Sequence, residues 1–371
     1  MAKFADRVLS IDISGIRKMF EAAGSDAINL GLGQPDFETP EHIRQAAIDA
    51  INEGFTGYTY GSGIQELRDA LSQKFKEQNN FDVTSDDVIV TSGASEALEI
   101  AIAALVNPGE EVLISNPGFV SYNALVGMMG GKIVGVPMGE DLTMRPEDVA
   151  ERITDKTKAV IVNSPSNPTG GVLSKADIKA YAELADDHDI TIISDEVYEH
   201  FIYEGEHISP ATYSDNVITI NAVSKTYSMT GWRIGYTAAS PEYTQQMLKV
   251  HQYVQACANS IAQKAAYAAI TGPMDPVIEM RDEFRKRRDV LVEGLNSMGL
   301  ECASPKGAFY LFAKVPESMD CRDVASRFIS NGVVVVPGTA FGDLGEGYIR
   351  LSYAASMSDI ERALEIMGRS L

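Results

Sequence analysis

The 371-residue sequence has few of the residues from which disulfide frameworks and metal sites are built. Its three cysteines, Cys257, Cys302 and Cys321, are widely spaced, a pattern typical of neither a disulfide framework nor a zinc site. Its five histidines show no spacing such as His-Glu-x-x-His. The sequence therefore predicts reduced, structural cysteines and no metal site.

Positive charge and long apolar runs are also scarce. The chain has 31 Lys and Arg against 52 Asp and Glu, a formal net charge of −21. Nucleic acids and anionic membranes bind basic surfaces, so neither is an expected partner. No apolar run approaches the roughly 20 residues that span a bilayer, and the N-terminus lacks the apolar core of a signal peptide. We therefore expect a cytoplasmic protein that binds any anionic ligand through a local cluster of donors.

Short apolar runs that are typical of strands alternate with helical stretches through the middle of the chain. This alternation predicts an α/β fold, with a mainly parallel sheet covered by helices on both faces and ligands at the carboxyl ends of its strands. The predicted strands are 88–90, 111–115, 132–137, 159–163, 191–194 and 217–220.

The C-terminal part of the chain has a different pattern. A helical stretch covers 241–271, and the Gly-Pro-Met-Asp-Pro run at 272–276 interrupts it. A long charged helix is predicted at 277–298, followed by strands at 309–314, 333–336 and 348–352. The pattern predicts a smaller α+β region after the main sheet.

An anion-binding turn is predicted after the first of the main strands. The strand at 88–90 leads into a turn of small residues and then a helix at 96–105. Gly93, Ala94 and Ser95 would offer backbone N–H groups at the positive end of that helix, which suits a phosphate. An ordinary helix start is the alternative for this turn. The presence of Arg233 as a second donor favours phosphate.

Lys225 follows the predicted strand at 217–220, where a loop is predicted to begin, a position where reactive groups are common. A desolvated lysine has a lowered pKa and can form a Schiff base with a carbonyl cofactor. Arg233 comes eight residues later and could hold an anionic group of the same ligand. Most Ser-Lys pairs are solvated surface residues, and this is the alternative for Ser224 and Lys225. The other candidate site residues in the sequence favour a buried, reactive Lys225.

Three further polar residues occur where a polar side chain needs a partner. Asp195 follows the apolar run at 191–194 and requires a cation beside the sheet. Asn167 is held in a turn that contains Pro165 and Pro168, so its amide is rigidly placed. Arg350 lies in a predicted strand between apolar residues, and its guanidinium suits bidentate binding of a carboxylate.

The ordered set Asn167, Asp195 with Tyr198, Lys225, Arg233 and Arg350 resembles the motifs of class I/II aminotransferases, the pyridoxal-phosphate enzymes of fold type I. The resemblance covers nearly the whole chain and is greatest to the prokaryotic aspartate aminotransferase subgroup. It implies a large domain at 41–272, with a mainly parallel seven-stranded sheet between helices. It also implies a small α+β domain at 273–371, to which part of an N-terminal arm at 1–40 is added.

The resemblance implies how the cofactor, pyridoxal 5′-phosphate, is bound. Lys225 would bind it covalently and move protons during the reaction, and Asp195 would pair with its pyridine nitrogen. Asn167 and Tyr198 would both donate to its phenolate oxygen. Phe119 would stack on its ring.

The resemblance also implies which residues bind the phosphate and the substrate. Tyr58 would reach the cofactor phosphate of the other subunit, which implies a homodimer with shared active sites. Many relatives have a phosphate-binding serine where this chain has Ala222, so Ser224 becomes the substitute. Arg350 would bind the substrate α-carboxylate, with Asn167 and Gly33 nearby.

The preferred substrate pair from the resemblance is aspartate with 2-oxoglutarate, in a ping-pong reaction. One subgroup of dicarboxylate-specific relatives binds the distal carboxylate with a lysine where this chain has Ser95, so Arg17 is the substitute candidate. Alanine, aromatic and branched-chain donors stay open as alternatives. A C–S β-lyase shares the same cofactor residues. A cofactor-sensing regulator would need a DNA-binding domain, and a dinucleotide oxidoreductase would need the Gly-x-Gly-x-x-Gly motif that this chain lacks.

Overall fold

The central element of the computed structural model, which describes residues 3–9, 11 and 26–371, is a seven-stranded sheet. Its order is β2-β8-β7-β6-β5-β3-β4, and β8 is antiparallel to both neighbours while the other pairs are parallel. The sheet confirms the predicted α/β class. The strands are β2 (Val88–Thr91), β3 (Glu111–Asn116), β4 (Lys132–Pro137), β5 (Thr157–Asn163), β6 (Thr191–Asp195), β7 (Val217–Ala222) and β8 (Gly235–Ala239).

The central strands are nearly continuous apolar runs because helices cover both faces of the sheet. Successive side chains of β6 show this directly. Ile192 packs in one core cluster with Tyr181, and Ile193 packs in another with Leu98. The helices of this part of the chain are α2 (Glu41–Asn52), α3 (Gln65–Gln78), α4 (Ala94–Leu105), α5 (Val120–Met128), α6 (Pro146–Ala150), α7 (Lys175–His188), α8 (Val223–Thr226), α9 (Pro241–Val254) and α10 (Ser260–Thr271), and a four-residue helix, α1 (Asp6–Leu9), precedes them.

The carboxyl ends of the parallel strands lie side by side. Asn163 at the end of β5 pairs in register with Asp195 at the end of β6, and Asp195 pairs with Ile220 of β7. Lys225 follows β7 within the one-turn helix α8, whereas the sequence predicted a loop at this point.

A second, smaller group of strands lies after residue 300. An antiparallel sheet has the order β11 (Val336–Pro337), β12 (Tyr348–Ser352), β9 (Tyr310–Lys314). The predicted strand at 333–336 is divided, because β10 (Val333–Val334) pairs instead with β1 (Ile28–Asn29). The helices here are α11 (Asp275–Ser297), α12 (Cys321–Ser330) and α13 (Met357–Ser370). The predicted domain boundaries stay a prediction, although the β1–β10 pairing supports the attachment of the N-terminal segment to this part.

The helical stretch predicted at 241–271 is two helices, α9 and α10. The break between them contains Ala256, which has a left-handed backbone with φ of 63°. The side chain of Asn259 then caps α10 by accepting a hydrogen bond from the N–H of Ala262 at 2.9 Å. Residues 255–259 contain no glycine or proline, so Asn259, a residue type common at helix N-caps, was the sequence signal for this break. Among the residues described, no helix has the length and apolar character needed to cross a membrane.

Candidate active site

A cavity of about 290 Å³ opens where the carboxyl ends of the central strands meet the smaller antiparallel sheet. Eleven of the site residues predicted from the sequence line it. They are Gly33, Ala94, Ser95, Phe119, Asn167, Asp195, Tyr198, Ser224, Lys225, Arg233 and Arg350.

The predicted anion-binding turn lies on one wall of the cavity. Gly93 precedes α4 with φ of 79°, a left-handed conformation that favours glycine. A Cβ atom at Gly93 would lie 2.4 Å from the guanidinium of Arg233, so only glycine lets the arginine approach the helix N-terminus. The side chain of Glu96 accepts a hydrogen bond from the N–H of Ser92 at 2.5 Å and fixes the turn from behind. The result is a cradle of N–H groups and one cation.

Lys225 projects into the cavity from α8. Its Nζ donates to the carbonyl oxygen of Gly33 at 2.5 Å. Burial lowers the pKa of Lys225 to about 8, and the positive charges of Arg233 and Arg350 act in the same direction, while Asp195 opposes them. A lysine with this pKa is a usable nucleophile and base near neutral pH.

Asp195 is buried at the base of the cavity. Its Oδ2 accepts a hydrogen bond from the hydroxyl of Tyr122 at 2.7 Å, and its Oδ1 faces the N–H of Val197 at 3.4 Å. Burial raises the pKa of Asp195 to about 6, although both hydrogen bonds favour the carboxylate. No Lys, Arg or His among the described residues forms a salt bridge with it. The carboxylate is thus placed to receive a cationic ligand atom.

Arg350 is almost fully buried in β12. Its Nη1 donates to Oδ1 of Asn167 at 3.0 Å, and its Nη2 donates to the carbonyl oxygen of Gly31. Within the described part of the chain, its Nε has no hydrogen-bond partner. A buried N–H without a partner is costly, and a carboxylate in the cavity would satisfy it. Because Asn167 accepts through Oδ1, its amide N–H₂ group stays available as a donor.

The structure separates two predicted residues from the cavity wall. Tyr58 does not line the cavity, and the residue is 91% exposed in the single chain. Gly93 does not line the cavity either, and its N–H donates to the carbonyl oxygen of Thr91 at 2.9 Å, so the prediction that this N–H binds the phosphate is wrong and the glycine instead leaves room for Arg233. The candidate Arg17 lies outside the described residues.

Sequence reasoning missed two tyrosines that contact predicted site residues. Tyr122 lies on α5 and bonds Asp195, and its ring meets that of Phe119 edge to face with centroids 5.5 Å apart. Tyr310 lies at the start of β9, with its hydroxyl 2.8 Å from that of Tyr198. The aromatic pair Phe119 and Tyr122 at helical spacing was the only sequence signal for the first residue.

The profile of the family described as Aminotransferase class I and II matches residues 25–367. This chain belongs to that family. It is 48% identical over 369 residues to a probable aspartate aminotransferase of Methanocaldococcus jannaschii, a match that covers 98% of each chain. It is also 40% identical over 380 residues to aromatic-amino-acid aminotransferase 2 of Thermococcus litoralis, covering 99% of this chain and 98% of that one.

A solved structure of the aspartate aminotransferase from Thermus thermophilus with maleate superimposes on the aminotransferase with a TM-score of 0.96. The two sequences are 40% identical, and the match covers 100% of both chains. The fold is therefore that of a fold-type-I aminotransferase, as the sequence predicted.

Aminotransferases of this family use pyridoxal 5′-phosphate, and the cavity of this aminotransferase fits that group. The cradle at Gly93 and Arg233 suits a phosphate, since a Cβ atom would close it. Asp195 supplies a buried carboxylate without a cationic partner among the described residues, and Lys225 supplies an amine of lowered pKa. Each group matches a different part of the cofactor.

Proposed function

We propose that this aminotransferase transfers the amino group of L-aspartate to 2-oxoglutarate by a ping-pong mechanism. The observation that carries the proposal is the cavity in which Lys225, Asp195, Arg233 and Arg350 come together. The aspartate assignment is supported by the name of the Methanocaldococcus jannaschii relative, which is 48% identical over 98% of its length.

In the proposed site, pyridoxal phosphate supplies a carbonyl group and an electron-accepting ring. Arg233 and the N–H groups of Ala94 and Ser95 hold its phosphate, with the hydroxyl of Ser224 as a further donor. Asp195 pairs with its ring nitrogen. These residues fix the ring before the substrate arrives.

The remaining residues act on the ring oxygen, the ring face and the substrate. Asn167 and Tyr198 donate hydrogen bonds to the phenolate oxygen, and Phe119 packs on the ring. Arg350 binds the substrate α-carboxylate through its free Nε edge, close to Gly33. Lys225 Nζ would carry a proton from the substrate α-carbon to the cofactor's C4′ carbon in the first half-reaction, and in the opposite direction in the second.

We also propose that the aminotransferase is a cytoplasmic homodimer with shared active sites. The exposed ring of Tyr58 supports a role across the subunit interface, because a residue that serves its own cavity would line it. Mixed dimers test this role. If Tyr58 acts in the neighbouring site, a dimer of Lys225→Ala and Tyr58→Phe subunits has one site with both defects and one intact site, so activity returns. Verified subunit exchange without any recovery would contradict it.

An aromatic or other apolar donor is the second candidate. Among the described residues that line the cavity, the cations are Lys225, Arg233 and Arg350, and the proposed mechanism uses all three. The exposed side of the cavity is apolar near Leu32 and Phe119, which suits an apolar side chain. The name of the Thermococcus litoralis relative agrees with this candidate.

A half-reaction screen distinguishes these substrates. Each amino acid is mixed with the holoenzyme without an oxo acid, and the absorbance of the bound cofactor is followed. We expect aspartate and glutamate to react fastest. If both react far more slowly than alanine or phenylalanine, the dicarboxylate proposal fails while the aminotransferase activity stands. Pyruvate and ammonia formed from a cysteine-type donor alone would instead indicate a β-lyase.

Reductive trapping tests the role of Lys225. Borohydride should fix the cofactor to the protein, and peptide mapping should find the adduct on Lys225. An adduct on any other lysine would refute the assignment.

A further inference from the structure

Tyr310 contacts three parts of the site at once, yet the proposed mechanism gives it no role. It is buried at the start of β9, with 2% of its surface exposed. Its hydroxyl lies 2.8 Å from the hydroxyl of Tyr198, and either oxygen could be the donor. Its ring lies under the guanidinium of Arg350, with 4.6 Å between Cζ and the ring centroid.

The direction of the bond between the two tyrosines follows from the proposed function. A hydroxyl carries one proton, and Tyr198 uses its proton to donate to the cofactor's phenolate oxygen. Tyr198 can then only accept from Tyr310. A hydroxyl that accepts one hydrogen bond becomes a better donor in the next, because the two bonds polarise each other.

The position of the hydroxyl is fixed by the neighbouring backbone. A Cβ atom at Gly33 would lie 1.8 Å from the Tyr310 oxygen, so glycine is required where the chain passes over the ring. The carbonyl oxygen of the same glycine accepts the hydrogen bond from Lys225. The hydroxyl of Tyr310 is thus enclosed by the groups that surround the reacting atoms.

The ring acts on Arg350. The guanidinium lies 4.6 Å from the centroids of both Tyr310 and Phe341, so aromatic rings hold it in place. Its in-plane Nε edge stays without a partner among the described residues. Aromatic contacts hold a guanidinium without occupying its N–H groups, which leaves them for a carboxylate.

We propose that Tyr310 is a positioning residue of the transamination reaction. Its hydroxyl orients and strengthens the Tyr198 donor, and its ring holds Arg350 ready for the substrate α-carboxylate. The inference rests on the proposed function of Tyr198 and Arg350.

The variant Tyr310→Phe tests the hydroxyl, and Tyr353→Phe is the matched control. Tyr353 is also fully buried, and its hydroxyl donates to Ala308 at 3.3 Å without lining the cavity. The readout is the pH at which the absorbance of the Lys225-bound cofactor changes. A weaker Tyr198 donor leaves the phenolate oxygen a stronger acceptor for the proton on the Lys225 nitrogen, so that proton is lost at higher pH.

We expect Tyr310→Phe to raise this transition by a few tenths of a pH unit, since a second bond strengthens the first by roughly 10–30%. Wild type and Tyr353→Phe should agree with each other. An unchanged transition in Tyr310→Phe would overturn the inference while leaving the proposed function intact. If the wild type bound no cofactor through Lys225, both the inference about Tyr310 and the proposed function would fail.

The variant Tyr310→Leu tests the ring. The measurement is the concentration of the best amino-acid donor that gives half the maximal half-reaction rate. We expect this concentration to rise about 3- to 30-fold in Tyr310→Leu, the range of a cation–π contact that is partly or fully desolvated. It should change less than about twofold in Tyr310→Phe, which keeps the ring. Equal values in both variants would overturn the role of the ring.

Discussion

Two neighbouring groups of buried charges are built in opposite ways. In the cavity, Asp195 has hydrogen bonds but no salt bridge among the described residues, and Arg350 has a buried Nε without a partner there. In the second group, the Glu199 cluster of Lys74, Asn79, Glu199 and Asn221, each charge is paired. Glu199 accepts from Lys74 at 2.5 Å and from both asparagines at 2.7 Å.

The pKa values of the two carboxyl groups reflect this difference. Burial raises the pKa of Asp195 to about 6. Burial opposes ionisation of Glu199 as well, but Lys74, together with His200 and His207, outweighs it and holds the pKa of Glu199 below its ordinary value. The Glu199 cluster is therefore complete without a ligand, whereas the cavity leaves its charges for a cofactor and a substrate.

The largest expected effect is on the cavity side. Lys225→Ala should lower the half-reaction rate by about 10⁴-fold, because it removes both the covalent attachment and the proton-transfer group. Lys179→Ala is the control, since this lysine is exposed on α7. Stopped-flow absorbance measures both. A loss below about tenfold for Lys225→Ala would show that another group moves the proton.

In the Glu199 cluster, the removal of a lysine should lower stability. Lys74→Met removes the ammonium partner of the buried Glu199, whose other basic neighbours are His200 and His207, and should lower the free energy of unfolding by about 3–5 kcal/mol. Lys76→Met is the matched control, because Lys76 forms an exposed ion pair with Asp82 on the same part of the chain. Solvent screens that exposed pair, so Lys76→Met should leave the free energy of unfolding close to the wild-type value. Urea unfolding measures both variants. Similar losses of unfolding free energy in Lys74→Met and Lys76→Met would contradict the claim that the buried Glu199 depends on Lys74.

A smaller effect is expected at Arg350. Loss of one charged hydrogen bond is worth about 1.5–3 kcal/mol, so Arg350→Leu should lower kcat/KM about 10- to 150-fold for every amino-acid donor. The kcat/KM of Arg350→Lys should lie between those of Arg350→Leu and wild type, since lysine keeps the charge without the bidentate fork. An effect confined to one donor would assign Arg350 to a substrate side chain instead of the α-carboxylate.

The site could be predicted from the sequence where a motif places a polar residue at a strand end. Asp195 and Asn167 are of this kind, because an apolar run or a pair of prolines makes their positions recognisable. The strand at 132–137 was predicted with the observed bounds for the same reason, an apolar run with turn signals on each side.

Residues that act through partners distant in the sequence could not be found in this way. Glu199 and Lys74 are separated by 125 positions, and Tyr310 and Tyr198 by 112. Each is an ordinary member of a helix, strand or turn until the fold brings its partner close. The division of 333–336 likewise depends on which strands lie on either side of it, and that is a property of the tertiary structure.

The pH dependence of stability should differ between the two groups. The folded protein holds the proton of Asp195 more tightly than the unfolded chain, whose aspartate has the ordinary value of 3.8. Without cofactor, the contribution of Asp195 to the free energy of unfolding should therefore decrease as the pH rises from about 4 to about 6. The contribution of Glu199 to the free energy of unfolding has the opposite pH dependence. It should be lost as the pH falls below 4.5, the ordinary pKa of a glutamate.

The most direct test is the free energy of unfolding of Asp195→Asn and Glu199→Gln at pH 7, with the cofactor removed and with it restored. Without cofactor, Asp195→Asn should be as stable as wild type or more stable, and Glu199→Gln should lose about 3 kcal/mol, as expected when one partner of a buried ion pair is removed. Restored cofactor should stabilise wild type and Glu199→Gln more than Asp195→Asn. Equal losses in both cofactor-free variants would contradict the claim that the cavity keeps its charges for a ligand.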